Sequence, residues 1–107
     1  MARVTDREVN RWLGQFARAV RKKYRPEHLI LFGSRARGDH LLESDVDIII
    51  VSEKFAGVPW PRRLGDAAQL WPGLNVIEPL CYTPEEFERK KGQIGIVQQA
   101  VKEGVAI

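Results

Sequence analysis

The sequence predicts a fold of the α/β (α+β) class, a small mixed three-stranded sheet flanked by helices in the order α-β-α-β-α-β-α. Three observations lead to this prediction. Residues 6–24 carry apolar side chains at helical spacing, apolar runs at 28–32 and 46–51 have the composition of buried strands, and residues 83–86 have the signature of a helix start. With 107 residues the chain is long enough for one core, so we expect a single domain over 1–107.

The first helix is predicted over residues 6–24, because its apolar residues recur at steps of three, four and seven. Thr5 is expected to cap this helix while Glu8 reaches back in a capping box, and Pro26 lies just beyond its end. The basic residues at its C-terminal end favour the helix dipole, and no aromatic residue for base stacking is interleaved with them. We therefore interpret them as a solvated face and do not expect direct nucleic-acid binding.

Three strands are predicted from short apolar runs. HLILF (28–32) and VDIIIV (46–51) have the composition of buried strands, and a helix of only a turn or two fits between them. NVIEPLCY (75–82) is the third strand, interrupted by Pro79, whose nitrogen cannot donate to a ladder and therefore favours an edge or a bulge. A short helix near 61–70, framed by prolines, is expected before this third strand.

The C-terminal part is predicted to be helical. The stretch TPEE at 83–86 combines a capping threonine, a proline at the first helical position and a capping-box glutamate. A last helix is expected from about Gln93 to Glu103, ended by Gly104. We expect the three tryptophans, Trp12, Trp60 and Trp71, to lie in the core, although Trp60 and Trp71 could instead anchor a partner. Cys81 is expected to be an inert buried thiol. His28 and His40 are expected to have structural roles.

The composition limits the classes of function. A net charge of +3 is compatible with phosphates or an acidic partner. The single cysteine excludes a disulfide within the chain, and neither a signal peptide nor an apolar run long enough to span a membrane is recognisable. We therefore expect a cytoplasmic protein without a membrane partner.

Gly33 and Ser34 directly follow the first strand. A residue without a Cβ lets a phosphate approach the backbone, and the serine hydroxyl can cap the next helix while facing the same phosphate. An ordinary turn is the alternative, because glycine and serine end many strands. Arg35 and Arg37 could neutralise a triphosphate, or could pair with neighbouring acids such as Asp39 on a solvated helix.

Asp45 and Asp47 lie two residues apart at the start of the second strand, so their side chains share one face. Two carboxylates placed together repel unless a cation or solvent intervenes, and Mg²⁺ prefers carboxylates, waters and phosphate oxygens. For a phosphate at Gly33-Ser34 to reach such a metal, the first two strands must run antiparallel. Glu78 is the acidic residue of the third strand and could be a third ligand, or a charge that protects an edge strand from aggregation.

Gly33-Ser34, ten intervening residues and then Asp45-Val46-Asp47 resemble the signature of the DNA polymerase β-type nucleotidyltransferase superfamily, in particular its minimal nucleotidyltransferases, the MNT-domain proteins. GSRARGD before SDVDI, with the later TPEEF helix, extends the resemblance across most of the chain. The resemblance implies a small mixed sheet with flanking helices. It also implies a two-metal transfer of a nucleoside monophosphate from an NTP, most simply AMP from ATP, to a hydroxyl, with release of pyrophosphate.

The resemblance also implies roles for single residues. Gly33 and Ser34 would hold the β- and γ-phosphates, and Asp45 and Asp47 would bind both Mg²⁺ ions. Glu78 stands where the family usually has a third acidic residue, most often aspartate, which helps to bind the metal that activates the acceptor hydroxyl. The implied setting is an antitoxin that transfers AMP to a tyrosine of a helical HEPN-domain ribonuclease. Because Glu78 is longer than aspartate, a second class stays open: a non-catalytic nucleotide- or protein-binding subunit that neutralises its partner by contact.

Overall fold

The computed structural model describes residues 5–38 and 45–107. In chain order its elements are α1 Asp6–Tyr24, β1 His28–Phe32, α2 Ser34–Arg37, β2 Val46–Val51, a 3-10 turn Glu53–Phe55, α3 Trp60–Ala68, β3 Ile77–Tyr82, α4 Pro84–Lys91, α5 Ile96–Glu103 and β4 Val105–Ala106. The class is the predicted one, a mixed sheet flanked by helices. The structure differs from the prediction in that the described sheet has a fourth short strand, whereas the helix expected to start at TPEE and the last helix are both present, as α4 and α5.

The sheet has the strand order β3-β2-β1-β4. β1 pairs antiparallel with β2 and with β4, whereas β2 pairs parallel with β3. The antiparallel pairing of β1 with β2 confirms the expectation derived from Gly33 and Asp47. As a consequence, the C-terminal end of β1 meets the N-terminal ends of β2 and β3 at one border of the sheet.

β3 lies at an edge of the sheet, which confirms the prediction made from Pro79. The carbonyls of Val76 and Tyr82 accept hydrogen bonds from the amides of Val46 and Ser52, at 3.0 and 2.9 Å. Because backbone groups alternate along a strand, Pro79 and Cys81 direct theirs away from β2. At that outer edge Pro79 has no N–H to offer, and the Cys81 carbonyl accepts a bond from the Arg63 guanidinium at 3.2 Å.

Two hydrophobic clusters pack on opposite faces of the sheet. The α1 face includes Phe16, Val20, Ile48, Ile50 and Phe55, and Trp12 belongs to this cluster as predicted. The other face includes Phe32, Ile49, Val51, Phe87 and Val97, which come from the sheet, α4 and α5. β2 supplies side chains to both clusters, so it is the strand around which the core forms.

The local signals of the two clearest helices are confirmed. Thr5 and Glu8 form the capping box of α1, and Thr83 and Glu86 form that of α4. Cys81 is buried as expected, and burial raises the pKa of its thiol to about 12.

Three other expectations need correction or lie outside the description. The last helix begins at Ile96 and not at Gln93, directly after Gly95. Trp60 is 40% exposed and its ring contacts that of Tyr82 in a tilted arrangement, with ring centroids 5.2 Å apart, whereas Trp71 packs against the α1-face cluster as predicted. The prediction of a core position for Trp60 was wrong, because Trp60 is the first residue of α3 and its side chain remains partly exposed there. Asp39 and His40 lie outside the described residues.

Candidate active site

The predicted site residues gather at the border where β1 ends and where β2 and β3 begin. Phe32 is paired with Asp47, and Asp47 is paired with Glu78 on its other side. Since Gly33 directly follows Phe32, the glycine, Asp47 and Glu78 lie side by side across three neighbouring strands. The strand order thus brings three segments that are separate in the sequence to one place.

The alternation of side chains along β2 decides which face the site occupies. Val46, Ile48 and Ile50 belong to the α1-face cluster, whereas Ile49 and Val51 belong to the cluster formed with α4 and α5. Asp47 shares the parity of Ile49, so its carboxylate faces the side of the sheet that α4 and α5 cover. The candidate site therefore opens next to these C-terminal helices.

Gly33 contacts Asp47 so closely that no side chain would fit. Its φ is +78° and its ψ is −158°, a region of backbone conformation that is essentially restricted to glycine. A Cβ built at Gly33 would lie 2.4 Å from Oδ2 of Asp47. The glycine therefore serves two needs at once, the turn after β1 and the space for the carboxylate.

Negative charge is concentrated around Asp47. Burial, a hydrogen bond with Glu78 and the charges of Glu78 and Asp45 together raise the pKa of Asp47 to about 6, while Arg37 acts in the opposite direction. The three predicted carboxylates thus interact electrostatically in the folded chain. Such a group gains stability from a cation that neutralises it.

The chemistry of these carboxylates fits Mg²⁺, although they do not form a closed cage. Within residues 5–38 and 45–107, no three His, Cys, Asp or Glu side chains converge as a metal site. Asp45 and Glu78 are exposed, and Asp47 is half-buried. Mg²⁺ commonly takes one or two carboxylates and completes its shell with waters and substrate phosphates, so an open carboxylate group of this kind fits an ion that arrives with a nucleotide.

The two arginines predicted to bind phosphate point to different places. Arg37 lines a cavity together with Gly33 and Asp47, and its charge acts on Asp47. Arg35 is nearly buried and contacts Asp6 of α1, with Nη1 and Oδ1 3.5 Å apart. Ser34 begins α2 and lies beside Gly33 at the border of the sheet. The structure therefore groups Gly33, Ser34 and Arg37 with the carboxylates and directs Arg35 towards α1.

The cavity beside Asp47 has a volume of about 220 Å³. Its described lining comes from β1, the α2 turn, β2 and α5, namely Phe32, Gly33, Arg37, Asp47, Ile96, Gln99, Ala100 and Glu103. Arg37 and Glu103 form an ion pair across it, with Nη1 and Oε2 3.6 Å apart. Sequence reasoning missed the α5 residues, although their spacing of three, four and seven marks one face of a helix.

The mixed sheet, with a glycine turn and acidic strand starts at one border, forms an α+β domain, and a family comparison identifies its class as that of the nucleotide-transferring proteins. The family model described as the nucleotidyltransferase domain matches residues 13–105, and the chain belongs to this family. Nucleotidyl transfer is the general activity of that class. No helix in the described part of the chain is both long and apolar enough to cross a membrane.

Individual relatives agree with the family assignment. A segment of the chain is 51% identical over 41 residues to a protein of Methanocaldococcus jannaschii described as a "putative protein adenylyltransferase". This match covers 36% of the chain and 41% of the relative, so the chain spans less than half of that protein's length.

Solved structures confirm the fold. The chain resembles a "putative nucleotidyltransferase" from Sulfolobus solfataricus with a TM-score of 0.63 and 24% identity, over 90% of this chain and 76% of that one. BolA1 from Arabidopsis thaliana resembles it with a TM-score of 0.56 and 20% identity, over 68% of this chain and 92% of BolA1. At these identities the likeness concerns the fold alone.

Proposed function

We propose that the chain is a Mg²⁺-dependent nucleotidyltransferase that moves AMP from ATP to a hydroxyl of a partner protein. The observation that carries the proposal is the placement of Asp47 between Gly33 and Glu78, with Arg37 beside it. This grouping joins the predicted phosphate residues to the predicted metal ligands on one face of the sheet. The segment shared with the protein described as an adenylyltransferase supports AMP and a protein acceptor.

Each residue has a part in this reaction. Gly33, Ser34 and Arg37 hold the triphosphate, and Asp45, Asp47 and Glu78 would hold Mg²⁺. When bound there, Mg²⁺ would supply positive charge that offsets the phosphates, and it would lower the pKa of the acceptor hydroxyl. The acceptor oxygen bonds to the α-phosphorus, the bond from the α-phosphorus to the bridging oxygen breaks, and pyrophosphate leaves while the hydroxyl proton is released. Glu78 lies on the side of Asp47 away from Gly33, so the acceptor approaches from β3.

The acceptor class follows from the resemblance of the two motifs to MNT-domain proteins. In this setting the acceptor is a tyrosine of a HEPN-domain toxin, and the chain acts as its antitoxin. The small described sheet leaves little surface to enclose an acceptor, so the partner supplies the rest of the site. If AMP is transferred to the partner, the chain is an enzyme. If the partner is neutralised without such a transfer, the chain is a subunit that acts by contact alone.

The experiment combines the purified chain, Mg²⁺ and a co-encoded HEPN-domain protein with ATP labelled in the α- or the γ-phosphate. We expect the partner to gain label from α-labelled ATP only, since the β- and γ-phosphates leave together. Asp47→Asn, which keeps the shape but removes a ligand charge, should abolish labelling. Asp66→Asn on α3 is the matched control, because Asp66 pairs with Arg62 of its own helix and should leave labelling intact.

Two outcomes would contradict the proposal. A partner that is neutralised while neither protein carries nucleotide would identify a contact-only subunit. Labelling that persists in a folded Asp47→Asn variant would show that the carboxylates at this border of the sheet are not the active site. Circular dichroism of each variant establishes that the fold is retained.

A further inference from the structure

We infer that Gln99 of α5 is the specificity-determining residue for the nucleotide and selects adenine; this inference rests on the proposed function. It concerns the α5 side of the cavity beside Asp47, whose other side is lined by Gly33, Arg37 and Asp47, the residues assigned to phosphate and metal. The inference assigns the nucleobase to the α5 side of the site.

The strand order places the cavity on the phosphate side. Because the strands lie in the order β3-β2-β1 across the sheet, Glu78 is on one side of Asp47 and Gly33 is on the other. The described lining of the cavity includes Gly33 and Arg37 and no residue of β3. The cavity therefore adjoins the part of the site assigned to the nucleotide, and the acceptor side is separated from it by β2.

α5 turns one face into this cavity. Ile96, Gln99, Ala100 and Glu103 follow the helical spacing of three, four and seven and all line it. Val97 is packed in the cluster on this face of the sheet, and Gly104 approaches β1 closely, since a Cβ there would lie 2.5 Å from Cγ2 of Ile30. These contacts hold the backbone of α5 against the sheet and so set the position from which the exposed Gln99 side chain extends beside Asp47.

The size and the lining suit a nucleobase. A volume of about 220 Å³ is below the roughly 300–1,000 Å³ of pockets that enclose whole small ligands, so the cavity takes one fragment of a nucleotide. The exposed Ile96 supplies most of the apolar surface for the face of a base, and the buried Phe32 and Ala100 lie beneath it in the lining. Arg37 and Glu103 are paired with each other. Gln99 is the uncharged polar side chain of this lining.

The chemistry of a primary amide identifies the base. A glutamine can accept from N6 and donate to N7 of adenine, which is a bidentate pair. Guanine presents two acceptors at the same edge, and pyrimidines have no N7, so neither can form this pair. Within the described residues, the Gln99 amide makes no hydrogen bond that would have to be broken first. The side chain is thus available to read the base.

The test measures displacement of a fluorescent ATP analogue by ATP, GTP, CTP or UTP in the presence of Mg²⁺. Wild type is expected to prefer ATP by about five- to a hundredfold, the range for one good bidentate pair. Gln99→Leu should bring the four affinities within about twofold of one another. Gln98→Leu is the control, because this neighbouring glutamine is not among the lining residues. It should keep the preference.

Each outcome has a separate meaning. A folded Gln99→Leu protein that still prefers ATP overturns the assignment of Gln99, and so does a wild type that binds all four nucleotides equally. In both cases nucleotide binding itself, and with it the proposed function, stands. A wild type that binds no nucleotide with Mg²⁺ overturns the proposed function and the inference together.

Discussion

At the scale of single residues, Gly33 and Asp47 depend on each other. The carboxylate occupies the space where any other residue would carry its Cβ, and the backbone there has a conformation that glycine alone adopts without strain. An ordinary turn after β1 would require only the glycine's backbone conformation and not the absence of a Cβ beside Asp47. The shared space ties the glycine to the acidic strand and thus to the site.

Gly33→Ala is expected to abolish Mg²⁺-dependent nucleotide binding, because the new methyl group displaces the Asp47 carboxylate. The strained backbone should also lower the free energy of unfolding by about 1–3 kcal/mol. Gly57→Ala provides the comparison, since Gly57 has a similar φ of +75° but open space around its Cβ position. It should lose stability without losing nucleotide affinity. Isothermal titration calorimetry and chemical unfolding measure the two effects, and equal nucleotide affinity in both variants would contradict the role of Gly33.

Glu78→Gln is expected to reduce transfer to the partner by about a hundredfold or more while nucleotide binding changes little, because the amide keeps the shape but removes a charge that would hold the metal on the acceptor side, and reacting groups displaced by about 1 Å can cost a factor of this order. The reason is position: Glu78 lies beside Asp47 on the β3 side, away from Gly33. Labelling rates and calorimetry separate the two quantities. Glu85→Gln on the exposed surface of α4 is the matched control, and a Glu78→Gln enzyme with wild-type rates would remove Glu78 from the site.

At the scale of elements, Arg63 connects α3, β3 and α4. Its guanidinium donates to the carbonyls of Val58 and Cys81 and to the carboxylate of Glu86. Glu86 in turn accepts from the Thr83 amide at 2.7 Å, so the capping box of α4 and the arginine share one carboxylate. Arg63 is 8% exposed, and its charge is compensated by these partners.

This connection should make the fold sensitive to acid. Hydrogen bonding from Arg63 is the largest cause that holds the pKa of Glu86 below its usual value. A carboxyl whose pKa is lower in the folded chain than in the unfolded chain adds stability above the unfolded pKa, and this stability is lost as the pH falls through the folded pKa. Glu86→Gln should therefore flatten the acid limb of the unfolding free energy measured against pH. Glu88→Gln serves as the control, and an unchanged acid limb in Glu86→Gln would contradict the assignment.

The sequence predicted the elements whose signals are local and missed those that depend on distant contacts. α1, α4 and the buried strands were predicted because capping boxes and apolar runs are written in neighbouring residues. β4 is two residues long, so Val105 and Ala106 show no alternation, and their strand conformation depends on pairing with Ile30 and Leu31. The start of α5 was misplaced because Gln93 offers as good a local helix signal as Ile96.

The residues of the candidate site also divide into those with a local sequence signal and those that only tertiary packing brings to the site. Gly33, Ser34, Asp45 and Asp47 carry a motif that can be read in the sequence, and the antiparallel pairing of their strands followed from it. The α5 contribution could not be derived, because only tertiary packing brings Gln99 and Glu103 to the cavity. For the same reason the sequence predicted the same phosphate-binding role for Arg35 and Arg37. In the structure Arg35 contacts Asp6 of α1 instead.

At the scale of the whole molecule, β2 connects the two hydrophobic clusters. Its residues 48–51 are fully buried, and it lies between β1 and β3. Opening β2 would expose both clusters at once, which requires global unfolding. We expect the amides of Ile48 to Val51 to exchange hydrogen most slowly and those of the four-residue α2 to exchange fast. Mass spectrometry of exchange under native conditions measures this, and a β2 that exchanges as fast as α2 would contradict the packing.

The outer edge of β3 has a consequence for how copies of this chain meet in solution. Pro79 has no N–H to donate there, and the Cys81 carbonyl already accepts a hydrogen bond from Arg63, so the edge resists the addition of another strand. Leu74 and Val76 are nonetheless exposed apolar side chains just before β3. Contacts made through them use side chains and not the backbone. At this edge, contacts between copies would therefore not be continued by a ladder of backbone hydrogen bonds of the kind that builds fibrils.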